Sequence, residues 1–252
     1  MIRNARPQDH PQVKALWGEA FGDPPEAIDA YFLNRHKDEN MLVDERSGGV
    51  AGMLSMLPVT LASGDGREFP SRYIYAVATR ERDRGQGIGT ALLHAAHARM
   101  RDFGEAASVL VPGEPRLFSF YEKRGYTTMF DLDELTVSAD RLPPLPPDAW
   151  HGDCSPAEYT RLRNLAFQTS GLYARWEERA VAYAMQTFAQ PGGVIKLRWA
   201  GGRGCAAWEQ TPSGVLVREL ALPQGNVYDA LCVLHSALRA AHYTVRLSKG
   251  TI

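Results

Sequence analysis

Apolar residues recur every three or four positions in several segments of the chain, the period of a helix that buries one face. In the first half, Val13, Leu16 and Trp17 form one such stripe, and Asp9 precedes it as a candidate N-cap. The predicted helices of the first half cover residues 9–21, 24–36, 87–103 and 117–124.

Shorter apolar runs, bounded by glycine, proline or polar residues, alternate with these helices and predict strands. Ser47-Gly48-Gly49 marks the turn of a hairpin between two of them. The predicted strands of the first half cover residues 2–6, 41–44, 50–61, 73–79, 108–111, 126–130 and 135–137. This alternation predicts an α/β fold, with a mixed central sheet and flanking helices.

Four prolines within residues 142–147 interrupt the pattern, because proline fixes φ and lacks a backbone N–H. We therefore predict a first domain over residues 1–141, a linker over 142–150 and a second domain over 151–252. The second half repeats the order of two helices, three strands, a helix and a strand, which indicates a divergent duplicate. Its predicted helices cover residues 156–166, 177–188 and 227–241, and its strands cover 194–199, 205–210, 215–220 and 243–247.

Composition narrows the classes of function that fit. The 252 residues are 44% apolar and 23% charged, which suits one or two domains with packed cores. The 28 Lys and Arg residues balance 29 Asp and Glu residues, so the net charge of −1 disfavours binding to nucleic acid or a membrane surface through a basic patch. With no membrane-spanning apolar run and no signal-peptide pattern at the N-terminus, we expect a cytoplasmic protein.

Cysteine and histidine spacing predicts no metal site. Cys154, Cys205 and Cys232 form no CxxC pair, and we interpret them as buried inert thiols rather than a disulfide framework. His94 and His97 share a helix face but lack a third ligand nearby in sequence.

The segment that carries chemistry is an Arg- and Gly-rich loop between a predicted strand and a predicted helix. Gly85, Gly87 and Gly89 keep side chains away, so a ligand can approach the backbone closely. The first N–H groups of the helix lack intrahelical partners and favour an anion, and Arg84 can add a charged contact. The loop therefore indicates a phosphate-binding site, with a plain solvated helix start as the alternative.

Two common phosphate-binding motifs do not fit this loop. A Walker loop requires Lys followed by Ser or Thr after its last glycine, whereas Thr90 follows Gly89 directly. A dinucleotide fingerprint requires an acidic residue at the end of the next strand, whereas Glu105 precedes its strand.

Two motifs resemble those of the GCN5-related N-acetyltransferase (GNAT) family. The run Arg84-Gly85-Gln86-Gly87-Ile88-Gly89 is similar to the family motif Gln/Arg-x-x-Gly-x-Gly/Ala, and Tyr121 to Tyr126 resembles its Tyr-x-x-x-Gly-Phe/Tyr signature. The two-domain length and the Pro-rich junction resemble the tandem branch of enhanced intracellular survival (Eis-like) acetyltransferases. The resemblance implies a catalytic GNAT fold followed by a degenerate, incomplete GNAT-like α/β domain.

The resemblance further implies an acyltransferase that uses acetyl-CoA and no metal, and acetylates a primary amine by direct attack. Tyr121 is implied as the proton donor to the departing thiolate, with a core aromatic residue as the alternative interpretation. The implied cofactor contacts are Val77, Ala78 and Thr79 for the pantetheine arm, and Arg84, Gly85, Gln86, Gly87, Ile88, Gly89 and Thr90 for the pyrophosphate.

The general base and the acceptor stay open at this stage. Glu68, Glu114 and a water chain are candidate bases, because residues 73–76 offer no carboxylate on the motif-bearing strand. The resemblance to the tandem branch adds the terminal carboxylate, here that of Ile252, as a further candidate. Aminoglycosides, polyamines, peptide amines and lysine side chains are candidate acceptors. A non-catalytic acyl-CoA-binding regulatory module is the alternative function.

The second half lacks the phosphate-binding pattern at the equivalent position. Residues 221–226 contain a single glycine and no arginine, and Pro223 removes an amide. We therefore expect no acetyl-CoA site there. The aromatic residues Tyr173, Trp176 and Tyr183 suit packing against the first domain, a wall of the acceptor groove, or a contact in a homo-oligomer.

Overall fold

Helices and strands alternate along the chain in the computed structural model, which describes residues 1–169, 171–188 and 192–249. This confirms the predicted α/β class. The helices are α1 (His10–Phe21), α2 (Pro25–Asn34), α3 (Ile88–Asp102), α4 (Arg116–Glu122), α5 (Pro156–Phe167), α6 (Glu178–Phe188) and α7 (Val227–Leu238). The strands are β1 (Ile2–Asn4), β2 (Met41–Arg46), β3 (Gly49–Ser63), β4 (Glu68–Thr79), β5 (Ala107–Val109), β6 (Leu132–Ser138), β7 (Trp150–Asp153), β8 (Leu172–Arg175), β9 (Gly192–Trp199), β10 (Gly202–Thr211), β11 (Gly214–Gln224) and β12 (His242–Ser248).

The chain divides into two compact units at a boundary other than the predicted one. The first unit is Met1–Ala62 with Arg67–Thr127, and the second is Ser63–Gly66 with the chain from Thr128 onward. The sequence assigned residues 135–137 to the first domain, but β6 pairs along its whole length with β12. Antiparallel hydrogen bonding to a strand about a hundred residues later therefore moves β6 into the second unit.

In the first unit, β1 to β5 are neighbours in chain order. The first four strands pair antiparallel, and β5 runs parallel to β4. Helix α3 covers this sheet with a stripe that includes Ile88, Leu92 and Ala96, which pack with Leu54 and Ile74 in a buried cluster. The helical spacing of these residues explains why one face of α3 is buried.

Helix α3 lies very close to β3 at Gly52. A Cβ atom on Gly52 would be 2.5 Å from Cγ2 of Ile88 and 3.1 Å from the carbonyl oxygen of Ala78. Ile88 is the first residue of α3, and Ala78 is next to the last residue of β4. Only glycine permits this approach, which holds the start of α3 against the end of β4.

Two local predictions for the first unit are wrong. Asp9 does not cap α1, because its carboxylate accepts hydrogen bonds from Arg6 N (2.8 Å) and from the Arg3 guanidinium (2.6 and 2.9 Å) instead. The bonds from Arg3 hold the pKa of the Asp9 carboxyl below its ordinary value. Residues 126–130 form no strand, and the Tyr126 side chain anchors this segment in place of a backbone ladder.

The second unit repeats the order of the first. Its sheet has the order β6-β12-β11-β10-β9-β7. This unit begins with strand β7 and two helices, continues with the antiparallel strands β9 to β11, and ends with helix α7 and the parallel strand β12. The first unit has the same order: β1, two helices, the antiparallel strands β2 to β4, helix α3 and the parallel strand β5. This order confirms the predicted structural duplicate.

The three cysteines are buried free thiols, as predicted. Burial raises the pKa of each thiol, which keeps it in the unreactive protonated form. In the described residues, no helix has the length and apolar character needed to span a membrane.

We expect Gly52→Ala to lower the free energy of unfolding by about 1–3 kcal/mol, because the added methyl group would push α3 away from β3. Gly113→Ala is the control, since a Cβ there meets nothing within 4 Å and its φ lies outside the left-handed region. This control should change stability by less than about 0.5 kcal/mol. Urea unfolding followed by circular dichroism measures both, and equal stabilities would contradict the close approach.

Candidate functional site

Strand β4 carries a β-bulge shortly before the glycine-rich loop. In its ladder with β3, Met53 faces Ala78 and Ser55 faces Tyr75, so two residues of β4 oppose one residue of β3. Ala76, in the bulge, has a φ of 51°, a left-handed value that is uncommon for a residue with a Cβ. A bulge leaves backbone groups outside the regular ladder, where a ligand can use them.

Strands β4 and β5 stay together only at their beginning. Their parallel pairing runs from Ser71 opposite Ala107 to Tyr73 opposite Val109, where β5 ends. Residues 74–79 of β4 extend beyond this pairing and include the bulge. The predicted cofactor contacts Val77, Ala78 and Thr79 lie in this extension, whose edge can hydrogen-bond to an extended ligand.

Two glycines turn the loop that connects β4 to α3. Gly85 and Gly87 have φ values of +79° and +76°, and a Cβ on either would meet nothing within 4 Å. The left-handed backbone explains the glycines, and the open space leaves room for a ligand. Gly87 is the N-cap of α3 and supplies no side-chain cap, and the first turn carries no acidic residue. The first N–H groups of α3 therefore form a site that suits an anion.

Two arginines lie beside this helix start. Arg84 is exposed, and its Nε donates to the carbonyl oxygen of Thr79 (3.3 Å), which links it to the end of β4. Arg124, which follows α4, donates to Thr90 Oγ1 from Nε (2.9 Å) and Nη2 (2.5 Å). Its guanidinium also stacks 3.5 Å above the ring of Phe120. The Thr90 hydroxyl is therefore engaged by Arg124, and a positive charge lies at the first turn of α3.

Sequence analysis did not single out Arg124, because its contact with Thr90 spans 34 positions along the chain. The available signal was its place inside the Tyr-x-x-x-Gly motif, immediately before Gly125.

Tyr121 of α4 is partly buried among aromatic rings. Its ring meets those of Phe120 (5.2 Å between centroids) and Tyr126 (5.5 Å) at steep angles. Burial raises the pKa of the Tyr121 phenol above its ordinary value, and the neighbouring Tyr73 adds to this effect. The phenol is therefore protonated at neutral pH and can act as a proton donor.

Tyr126, in the same motif, has a structural role. Its hydroxyl group lies 2.5 Å from Ser108 Oγ and 2.9 Å from His97 Nε2. Burial raises its pKa to about 12, against the opposing effect of the bond with Ser108. The two tyrosines of the second motif therefore differ: the hydroxyl group of Tyr126 is hydrogen-bonded, whereas Tyr121 is surrounded mainly by aromatic rings.

Two of the candidate general bases, Glu68 and Glu114, lie in the first unit. Glu68 begins β4, eight residues before the bulge at Ala76, which is about 26 Å along an extended strand. Glu114 is exposed and forms an ion pair with Arg116. Ile252 lies outside the described residues. On β4 itself, the rings of Tyr73 and Tyr75 stack close to the bulge, with centroids 5.9 Å apart.

The equivalent helix start in the second unit is built differently. Strand β11 continues through Gln224, so residues 221–224 are strand rather than loop. Asn226 caps α7 by accepting a hydrogen bond from Asp229 N (2.9 Å), and Asp229 places a negative charge in the first turn. A Cβ on Gly225 would lie 2.4 Å from the Trp199 ring, so the space in front of this helix start is also crowded. A capped, acidic and crowded helix start does not suit an anion.

The first unit also contains a group of potential metal ligands. Donor atoms of His10, His36 and Asp38 all lie within 4.8 Å of one another, the one such group found among the described residues. Sequence analysis missed it, because the two histidines are 26 positions apart and no spacing motif connects them.

The part of the chain that matches a known protein family ends close to the end of the first unit. Residues 1–129 match a family model described as an acetyltransferase (GNAT) domain. No curated protein matches the chain.

Three solved structures share the fold of nearly the whole chain. A GCN5-related N-acetyltransferase from Anabaena variabilis has a TM-score of 0.77 and 18% identity, and the match covers 99% of this chain and 66% of that protein. A probable N-acyltransferase from Enterococcus faecalis has a TM-score of 0.76 and 15% identity, and the match covers 98% of this chain and 65% of that protein. Eis1 from Mycobacterium abscessus has a TM-score of 0.72 and 16% identity, and the match covers 97% of this chain and 65% of that protein. At these identities the likeness shows the fold alone, and the chain spans just under two thirds of each of these proteins.

Proposed function

Because the chain belongs to the GNAT acetyltransferase family, we propose that its first unit transfers an acetyl group from acetyl-CoA to a primary amine. One observation carries the proposal: the uncapped start of α3, turned by Gly85 and Gly87, lies beside the bulged end of β4. When bound, acetyl-CoA supplies the thioester that the amine attacks.

The glycine loop fits the pyrophosphate of this cofactor. The open space above Gly85 and Gly87 allows phosphate oxygens to approach the backbone N–H groups. Arg84, which contacts the end of β4, and Arg124, which contacts Thr90, supply positive charge near the loop and strengthen the attraction. The proposed pyrophosphate contacts are Arg84, Gly85, Gln86, Gly87, Ile88, Gly89 and Thr90, with Thr90 acting through its backbone N–H.

The end of β4 fits the amide-containing arm of the cofactor. Val77, Ala78 and Thr79 lie beyond the pairing with β5, so their backbone groups can bind the two pantetheine amides. The bulge at Ala76 and Val77 frees backbone N–H groups that can stabilise the oxyanion formed when the amine attacks.

Tyr121 then donates its proton to the departing thiolate. Its raised pKa keeps the phenol protonated at neutral pH, which is the form this role requires. The amine loses its proton to water. Water is the candidate base that fits here, because β4 carries Tyr73 and Tyr75 near the bulge and no carboxylate there.

We expect calorimetric titration to show one acetyl-CoA site per chain, in the first unit. Gly87→Gln should weaken binding at least about tenfold, because a side chain at this position blocks the approach to the helix start. Gly104→Gln is the matched control, since Gly104 has a similar left-handed φ of +68° and open space, but lies after the C-terminal end of α3. No binding by the unaltered protein would contradict the proposal, and two sites per chain would contradict the assignment to the first unit.

We expect Tyr121→Phe to lower kcat about 100-fold or more at neutral pH with little change in acetyl-CoA affinity, because the ring stays and only the proton is lost. A phenol donates a proton only below its pKa. Because burial raises the pKa of Tyr121, its contribution is present through neutral pH and is lost only as the pH rises above that raised pKa. Tyr126→Phe is the control: it removes a hydroxyl bonded to Ser108 and His97 and should change kcat only a few-fold.

Turnover for this comparison is measured as thiol release with aminoglycoside, polyamine, peptide and lysine amines as acceptors. Full turnover in Tyr121→Phe would show that the proton-donor role is wrong. Acetyl-CoA binding without transfer to any of these amines would instead favour the regulatory module.

A further inference from the structure

Three side chains from separate elements of the first unit converge on one point. His10 is the first residue of α1, His36 follows the end of α2, and Asp38 begins the 3₁₀ turn that leads into β2. Nε2 of each histidine lies 2.7 Å from Oδ1 of Asp38, and the two Nε2 atoms are 3.2 Å apart. From this convergence we propose that His10, His36 and Asp38 bind a first-row divalent transition-metal ion such as Zn²⁺.

The donor set has the chemistry that such an ion prefers. Two imidazole nitrogens and one carboxylate oxygen suit zinc and its neighbours, whereas Mg²⁺ and Ca²⁺ prefer all-oxygen sites. Ligand atoms about 2.1 Å from a tetrahedral ion lie about 3.4 Å from one another. The distances of 2.7–3.2 Å therefore need only a small outward movement of the three side chains to admit the ion.

The side chains are held in this orientation by packing. The His36 side chain is only 7% exposed and stacks on Phe32, with ring centroids 4.4 Å apart. His10 meets the edge of both rings, at 5.2 Å from Phe32 and 4.8 Å from His36. No hydrogen-bond partner among the described residues reaches the buried Nδ1 of His36, so its polar contacts lie at Nε2. The ring thus directs its one engaged nitrogen at the convergence point.

A hydrogen-bonded triad without an ion explains this arrangement less well. Asp38 Oδ1 would have to accept from both imidazoles, and the two Nε2–H groups directed at this one oxygen would have their nitrogens only 3.2 Å apart. A cation instead uses the lone pairs of both nitrogens and the negative charge of the carboxylate.

The surrounding charges allow a cation to bind. Lys14 pairs with Asp29 (2.7 Å) and Lys37 with Glu39 (4.0 Å), so the nearby ammonium groups are each compensated by a carboxylate. His10 and Asp38 keep 30% and 29% of their side chains exposed, which gives an ion access from solvent and leaves room for water as a further ligand. The ion would join the start of α1, the chain after α2 and the turn before β2.

Calorimetric titration of the tag-free, chelator-treated protein with ZnCl₂ tests the proposal. We expect one site with a dissociation constant of about 10 μM or tighter, and a higher midpoint of thermal unfolding in its presence. Titration with MgCl₂ or CaCl₂ should show no binding at this site. Replacing zinc by Co²⁺ should give visible absorption bands typical of nitrogen and oxygen ligation, a readout that needs no variant and no acetyl transfer.

Two conservative variants and a control complete the test. His36→Gln and Asp38→Asn should each weaken zinc binding at least about tenfold and remove the Co²⁺ bands. His94→Gln, which changes an exposed histidine on α3, should leave both unchanged. No zinc binding by the unaltered protein would overturn the proposal. Equal affinity in Asp38→Asn and His94→Gln would do the same, because the ion would then bind elsewhere.

Discussion

The contact between Ile88 and Gly52 is the constraint on which the candidate site depends. Because Gly52 has no side chain, the first residue of α3 lies directly on β3, next to the last residues of β4. The connecting loop must therefore reverse within a few residues, and the left-handed backbone at Gly85 and Gly87 makes this possible. The result is a helix start whose N–H groups are free of side-chain caps and stand beside the bulged edge of β4.

The two units share one topology but differ at the helix start where we propose that an anion binds. Both run from an antiparallel three-stranded meander through a helix into a parallel strand. What differs is the helix start: α3 follows an open glycine loop, whereas α7 is capped by Asn226 and bears Asp229 in its first turn. Because the helix dipole acts over one turn only, these few residues make the start of α3 better suited to an anion than the start of α7.

The first unit combines sites of opposite electrostatic character. Backbone N–H groups, Arg84 and Arg124 favour an anion at the start of α3, while the two imidazoles and the carboxylate of His10, His36 and Asp38 favour a cation between α1, α2 and β2. Both arrangements rely on elements held by the same sheet, since α3 follows β4 and the Asp38 turn leads into β2. The sheet therefore supplies the rigid support that each set of donors needs.

The sequence by itself determined what depends on neighbouring residues. Helix and strand positions followed from hydrophobic period, and the open glycine loop and its loss in the second half followed from residue types at a helix start. Only the tertiary structure decided which distant residues meet: β6 with β12, Arg124 with Thr90, and His10 with His36 and Asp38. The physical reason is that these contacts arise from chain reversal and sheet pairing, which bring together residues that share no period or spacing in the sequence.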